Sequence, residues 1–262
     1  MIRALKLFGL FSRISILNEL QYRANFFLQL FQSSLSLATG LIVIGIVFSY
    51  TPTLGGWSHA ELLAIYGVFY LLGGVMGTII IPNMWAFMED VREGRLDFTL
   101  TKPEDAQLLV SVRQFAVWRL VEVILGIIVL GVAIAQIGMQ ASWWTAFAFG
   151  ATLLMGIVIL YSVMLMASTL AFWFIRVWEL MEMLQSIYQA GRWPVGIYPE
   201  WLRMGLTYLI PVAFAVTIPA EALTGRLTPE TLAGTLVFTV VMAFVSRKVW
   251  FFGLKYYAGA SA

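Results

Sequence analysis

Residues 123–175 read VILGIIVLGVAIAQIGMQASWWTAFAFGATLLMGIVILYSVMLMASTLAFWFI. The stretch exceeds fifty residues and holds no Asp, Glu, Lys or Arg. As one helix it would be roughly 80 Å long, against a hydrocarbon core of about 30 Å that needs about 20 apolar residues. It therefore holds two crossings, and Gln136-Ile137-Gly138-Met139-Gln140, followed by Ala-Ser-Trp-Trp, marks the turn between them. Working outward, charge-free runs recur at 24–60, 62–88, 204–220 and 231–246. They predict an all-α polytopic membrane protein with six transmembrane helices. Five of the spans fall near 27–50, 60–84, 116–136, 144–172 and 231–252.

Composition agrees. Hydrophobic residues are 61% and charged residues 11%, where a soluble chain carries about 25% charged residues. Mean hydropathy is +0.87. Such a chain is solvated by lipid. A net charge of +2 without a basic block disfavours nucleic acid. With no Cys and a single His, no disulfide, thiolate site, zinc centre or cysteine nucleophile is expected, and no metal is assigned. No G-x-x-x-x-G-K-[S/T] loop exists to cradle ATP. Ion-coupled carriers tend to place ionisable groups or broken helices near the midplane. The centres of five spans lack such charge, which counts against a secondary transporter, the alternative reading.

Cations set the orientation. Arg3, Lys6, Arg13 and Arg23 precede the first span; Arg92, Arg95, Lys102 and Arg113 lie between the second and third; Arg247, Lys248 and Lys255 end the chain. Placing both termini in the cytoplasm leaves only Arg192, Arg203 and Arg226 of the 16 outside, as the positive-inside bias expects. The expected location is the inner (plasma) membrane. Trp57, Trp143 and Trp144 would mark outer span ends, and Trp85, Trp118, Trp173 and Trp250 inner ones. Residues 1–24 read as an interfacial helix, with no secretory signal. The fifth span has two placements. Either 174–192 crosses and 193–228 dips back from outside, or 204–222 crosses. The breakers Gly191, Pro194, Gly196, Pro199, Pro211 and Pro219 favour the first.

The largest polar stretch is EDVREGRLDFTLTKPED, 89–105. Leu96, Phe98 and Leu100 alternate with polar groups, Gly94 allows a turn and Pro103 ends what precedes it. This is the form of a docking element, or of a solvated loop joining two spans. Elsewhere, Arg176 and Glu179 are spaced to pair on a helix, and with Glu182 they read as a solvated helix end near the headgroups or as candidates for a path or a permease interface. Arg119 and Glu122 are spaced to pair at the entry to the third span. Gly73 and Gly77 form a small-x-x-x-small pair suited to internal packing. His59 reads as a structural loop residue.

The loop EDVREGRLDFTLTKPED, placed after two spans, resembles that of the ABC type-2 exporter permeases, with its acidic residue, Gly, Leu-Asp and Leu-x-x-Pro. GRWPVGIYPEWLRMGLTYLIPVAFAVTIPAEAL resembles the outer region before that family's last span. Within the family the chain is similar to a poorly characterised branch that often pairs two permeases with one ATPase.

The resemblance implies one permease domain over 1–262, with no catalysis and no cofactor of its own. ATP and Mg would be bound by a separate ABC ATPase. A cytoplasmic coupling loop at 86–108 would dock that ATPase through Glu89, Asp90, Arg92, Glu93, Gly94, Arg95, Leu96, Asp97, Phe98, Leu100, Lys102 and Pro103. The re-entrant segment 193–228 would form an outer gate involving Gly191, Pro194, Pro199, Trp201, Pro211, Pro219 and Glu221. A second permease chain, the same or a different six-span one, would complete the path within membrane lipid. Its lining is expected to be mostly apolar and aromatic.

Overall fold

The computed structural model describes residues 23–138, 142–174 and 176–257, with side chains from Phe27 onward. All but the last two residues of the expected interfacial helix at 1–24 lie outside the described residues. The long helices are α1 (Arg23–Tyr50), α2 (His59–Arg92), α5 (Leu120–Ile137), α6 (Trp143–Thr169) and α10 (Pro229–Leu254). Between α2 and α5 stand the short α3 (Asp97–Leu100) and α4 (Ala106–Val112). Between α6 and α10 stand α7 (Trp178–Tyr188) and the bent pair α8 (Glu200–Leu209) and α9 (Ala213–Thr224).

Helix α2 is central. Its most apolar window is 78% buried, against 11% for α1, 22% for α5 and 17% for α10. Lipid offers helices no hydrophobic drive to associate, so close backbone approach takes over. At the α2–α5 crossing three glycines supply it. A Cβ on Gly126 would stand 2.5 Å from the Leu71 nitrogen, and one on Gly74 2.6 Å from that of Val123. Gly67 meets Leu130 in the same row. The pair singled out from sequence, Gly73 and Gly77, faces instead the Tyr188 ring and the Arg119 stem.

Helix α2 is continuous through a π turn at Met76–Ile80, just before Pro82. Proline donates nothing to the carbonyl four residues earlier, here that of Thr78. The Ala116 N–H fills the gap at 2.9 Å. Next to it the buried Asn83 donates to the Ile79 and Gln114 carbonyls, at 2.6 and 2.8 Å, and accepts from the Gln114 N–H. The link 113–119 is thereby fixed to α2.

The contacts define two ends of the bundle. Phe48 meets His59 edge-on and Gly40 meets Tyr66, so α1 runs against α2, and Ser33 donates to Glu122 at the start of α5. Ser168 donates to the Met84 sulfur, and Trp250 packs on Phe87, both toward the Arg92 end of α2. Eleven residues of helix span only about 16 Å, so α7 alone is too short to cross. The chain around it is not. Trp178 stacks on Trp85 beneath Arg92, Tyr188 donates to the Phe69 carbonyl, and the Ile197 methyl lies on Gly55. Residues 178–197 therefore traverse the length of α2, helix first and tight turns after. The pair α8–α9 bends by 78° and could be counted as one broken crossing by length and apolarity. Its contacts give another course. It begins just after Ile197, its bend packs Val212 and Val216 on Gly191, and it returns to Gly56 and Glu61 through Arg226. Both feet stand at the Gly55 end.

Two of the tryptophans read as marking span ends are buried against protein there. Trp57 is buried beneath the Arg226 guanidinium, and Trp250 is buried against Phe87 and Phe172. Trp143 and Trp144 are exposed. The difference is aromatic packing at the bundle ends, which periodicity does not report.

The glycine crossing is testable by thermal unfolding in detergent. Gly126→Ala and Gly74→Ala should each destabilise by about 1–3 kcal/mol through overpacking. Gly131→Ala, with open space at its Cβ, should be neutral or stabilising by up to about 1 kcal/mol.

Candidate functional site

Two places concentrate polar chemistry. The first is the hairpin between α2 and α5. Helix α2 continues to Arg92, so Glu89 and Asp90 lie on its last turn. Gly94 reverses the chain at φ 68°, a left-handed value natural to glycine. Asp90, 8% exposed, accepts from Arg95 at 3.2 Å and from Arg113 at 2.5 Å, closing both sides of the turn on one carboxylate. Arg92 pairs with Glu89 at 2.6 Å, and Arg95 also pairs with Glu93.

On this frame α3 splits the three apolar residues expected to dock. Leu96 is wholly buried and belongs to the core, whereas Phe98 is 73% and Leu100 39% exposed. A four-residue helix cannot turn all three outward, and Leu96 with Thr99 forms its inner face. Lys102 and Pro103 are exposed beyond it, and Asp97 is half-buried.

The hairpin's return limb is anchored to two more helices. Asp105 caps α4 and holds Arg247 of α10 through both oxygens. The Arg247 guanidinium keeps the Asp105 carboxyl below its usual range, with help from the Leu108 N–H. A depressed folded value means that the stabilisation is complete above the ordinary carboxylate range and is lost as pH falls through the lower folded value. Arg247 also donates to Gln107 at 2.6 Å, and Gln107 and Ser111 both meet the Tyr161 hydroxyl of α6.

The second place is a cleft between α1 and α7. One cavity of about 450 Å³ is lined by Gln29, Gln32, Ser33 and Ser36 of α1, by Arg119 and Glu122, and by Gln185, Tyr188 and Gln189. Its floor is Gly73 and Met76 of α2. A second of about 520 Å³ shares Gln32 and Ser36 with it and continues past Thr39 and Tyr66 to Arg192 and Trp193. Glu122 accepts from Arg119 at 2.5 Å and from Ser33 at 3.3 Å, so the charge pair read as a span-entry device opens onto the cleft. One wall is thus polar. The signal was the spacing of Gln29, Gln32, Ser33, Ser36 and Thr39, which places them along one face of α1.

Arg176, Glu179 and Glu182 are exposed and outside this lining. Among the described residues no ion pair joins Arg176 to Glu179. Of the outer-segment candidates, Gly191, Pro194, Pro211 and Pro219 are buried, Glu221 is half-buried, and Pro199 and Trp201 are exposed. The structure brings Gly191 against the hairpin bend. Pro219 leaves the Ala215 carbonyl without its helical donor, and Gly156 of α6 lies against that carbonyl. Among the described residues no group of acidic and histidine side chains could hold a metal.

A family model described as ABC-2 family transporter protein matches residues 35–261. No curated protein matches the chain. With a bundle of apolar helices long enough to cross a bilayer and a family match running from the first span past the last, the chain belongs to the ABC-2 transporter family and is a multi-pass membrane permease.

Proposed function

We propose that the chain is the permease subunit of an ATP-binding cassette exporter, forming half of a translocation path and docking a separate ATPase through the α3 hairpin. The observation that carries this is the pose of Phe98. A large aromatic side chain stands exposed on a short helix whose other face is core and whose limbs are pinned to three crossing helices. A push on Phe98 and Leu100 would reach α2 through Asp90 and Asn83, α6 through Tyr161, and α10 through Arg247. The partner would bind ATP and Mg and supply the force, and two such hairpins, one per permease, would receive it. The second permease would cover the α1–α7 side, where Arg176, Glu179 and Glu182 stand exposed and costly in lipid.

The α8–α9 hairpin would be the outer gate. Its feet stand on one end, its bend reaches Gly191, and its return is held by Arg226, which bonds both Glu61 oxygens and the Gly56 carbonyl. On this reading the Gly55 end is outside, both termini are cytoplasmic and the bilayer is the plasma membrane. A carrier without an ATPase is the second reading, and the exposed Phe98 has no use in it.

Phe98→Asp should abolish co-purification of the ATPase while leaving the unfolding temperature unchanged. Leu96→Asp should instead unfold the hairpin and lower that temperature, since it places a charge in the core. Capture of the ATPase by Phe98→Asp at the parental level would remove the docking assignment. Single cysteines at Gly196 and Glu200, in a chain that has none of its own, should react with an impermeant maleimide on intact cells. Reaction only after the cytoplasmic face is opened would invert the topology.

A further inference from the structure

We infer that Arg192 is the receptor for an anionic head group, and that the cargo class is an amphiphile bearing a phosphate or carboxylate that enters between α1 and α7. This rests on reading the cleft as part of the permease path.

Arg192 stands at the second cavity together with Tyr66. Tyr66 lies seven residues into α2, about 10 Å below the His59 end. An ionised side chain at such depth is expensive unless it meets protein, water or a counter-charge. Arg119, Arg226 and Arg247, which also stand at or between crossing helices, each hold a carboxylate. Arg192 holds none among the described residues. Its Nε donates to the Gln189 carbonyl at 3.1 Å and its Nη2 to the Gln189 side-chain oxygen at 2.5 Å. A guanidinium has five N–H donors, so most of its fork stays open. The Phe69 ring lies 5.8 Å from its centre and Gln189 braces it from one side, which fixes its orientation without cancelling its charge.

What faces the fork fits the same ligand. Gln32 and Ser36 on α1 line this cavity, and neither makes a side-chain hydrogen bond among the described residues. A hydroxyl, a carboxamide and an open guanidinium around one space provide donors for two or three oxygens of a tetrahedral or planar anion. The rest of the rim is Leu35, Val43, Ile44 and Trp193. On α1 it adjoins exposed Phe31, Leu35 and Ile42. A head at Arg192 leaves a tail free to lie along those apolar side chains. The first cavity lacks this bias, because its charges, Arg119 and Glu122, close on each other.

The test uses the full chain in phosphatidylcholine nanodiscs, with no ATPase, and Thr39→Cys on the cavity wall as the reporter. The maleimide labelling rate is read with decyl phosphate, decyltrimethylammonium, decyl maltoside or inorganic phosphate added. Decyl phosphate should slow labelling at a concentration about tenfold below the other decyl probes, the ratio expected for one charge-assisted hydrogen bond. Inorganic phosphate should have no effect. Arg192→Gln should erase the preference and Arg192→Lys should keep it, which separates loss of charge from loss of fold. Equal protection by the three decyl heads, an unchanged preference in Arg192→Gln, or equal protection by inorganic phosphate would overturn the proposal. Because no ATPase is present, such a failure speaks to Arg192 alone. Failure of the docking assignment is read separately, in Phe98→Asp.

Discussion

Lipid supplies no hydrogen bonds, so every break in a crossing helix has to be repaired by protein. That constraint organises this molecule. Helix α2 stays continuous, but its hydrogen-bond ladder is disturbed by a π turn and by Pro82, and the repair ties it to a remote segment: the Ala116 N–H on the Thr78 carbonyl and the Asn83 carboxamide on the backbone at Gln114. The repair also fixes where the hairpin limb returns and where α5 starts. From there the Gly67–Gly74–Gly126 row draws α5 onto α2. The most buried of the long helices is thus the one whose flaw creates a tie to the hairpin between α2 and α5.

The same logic runs through the hairpin α8–α9. Pro211 and Pro219 would be faults in a straight span, and here they sit buried at and beyond a 78° bend. Val212 meets Gly191 there, and Gly156 admits the freed Ala215 carbonyl. Irregular backbone at depth is tolerated where protein covers it, and α2, α6 and the turn at Gly191 provide the cover. At the far foot, Arg226 stacks on Trp57 and joins the Ser58–Glu61 capping box. One side chain therefore closes the α1–α2 turn against the returning limb.

Much of this was legible in the sequence. Absence of charge over long runs located four of the five long helices to within a few residues, because lipid burial acts on every residue of a span, whereas α2 runs eight residues past the 60–84 read from sequence. Side-chain facing was less legible. A four-residue helix is shorter than two turns, so no period could show that Leu96 faces in while Phe98 faces out. Asn83 was hidden as one carboxamide in an apolar run, although its place beside Pro82 was the available clue. The stripe Gln29, Gln32, Ser33, Ser36 and Thr39 was passed over because amides and hydroxyls leave hydropathy high while still giving a helix a polar face. Arg192 was counted only as an outer cation at the end of the 174–192 span, since its place at the cavity follows from the fold of 178–197 and from no local pattern.

The central claim is that a permease without its own motor is moved through the exposed face of α3. A photo-crosslinking amino acid at position 98, activated in intact membranes, tests it most directly. The account predicts one dominant adduct, joining this chain to an ATP-hydrolysing subunit on the cytoplasmic face. Adducts to lipid alone, or quenching of the probe by an impermeant reagent from outside, would contradict it.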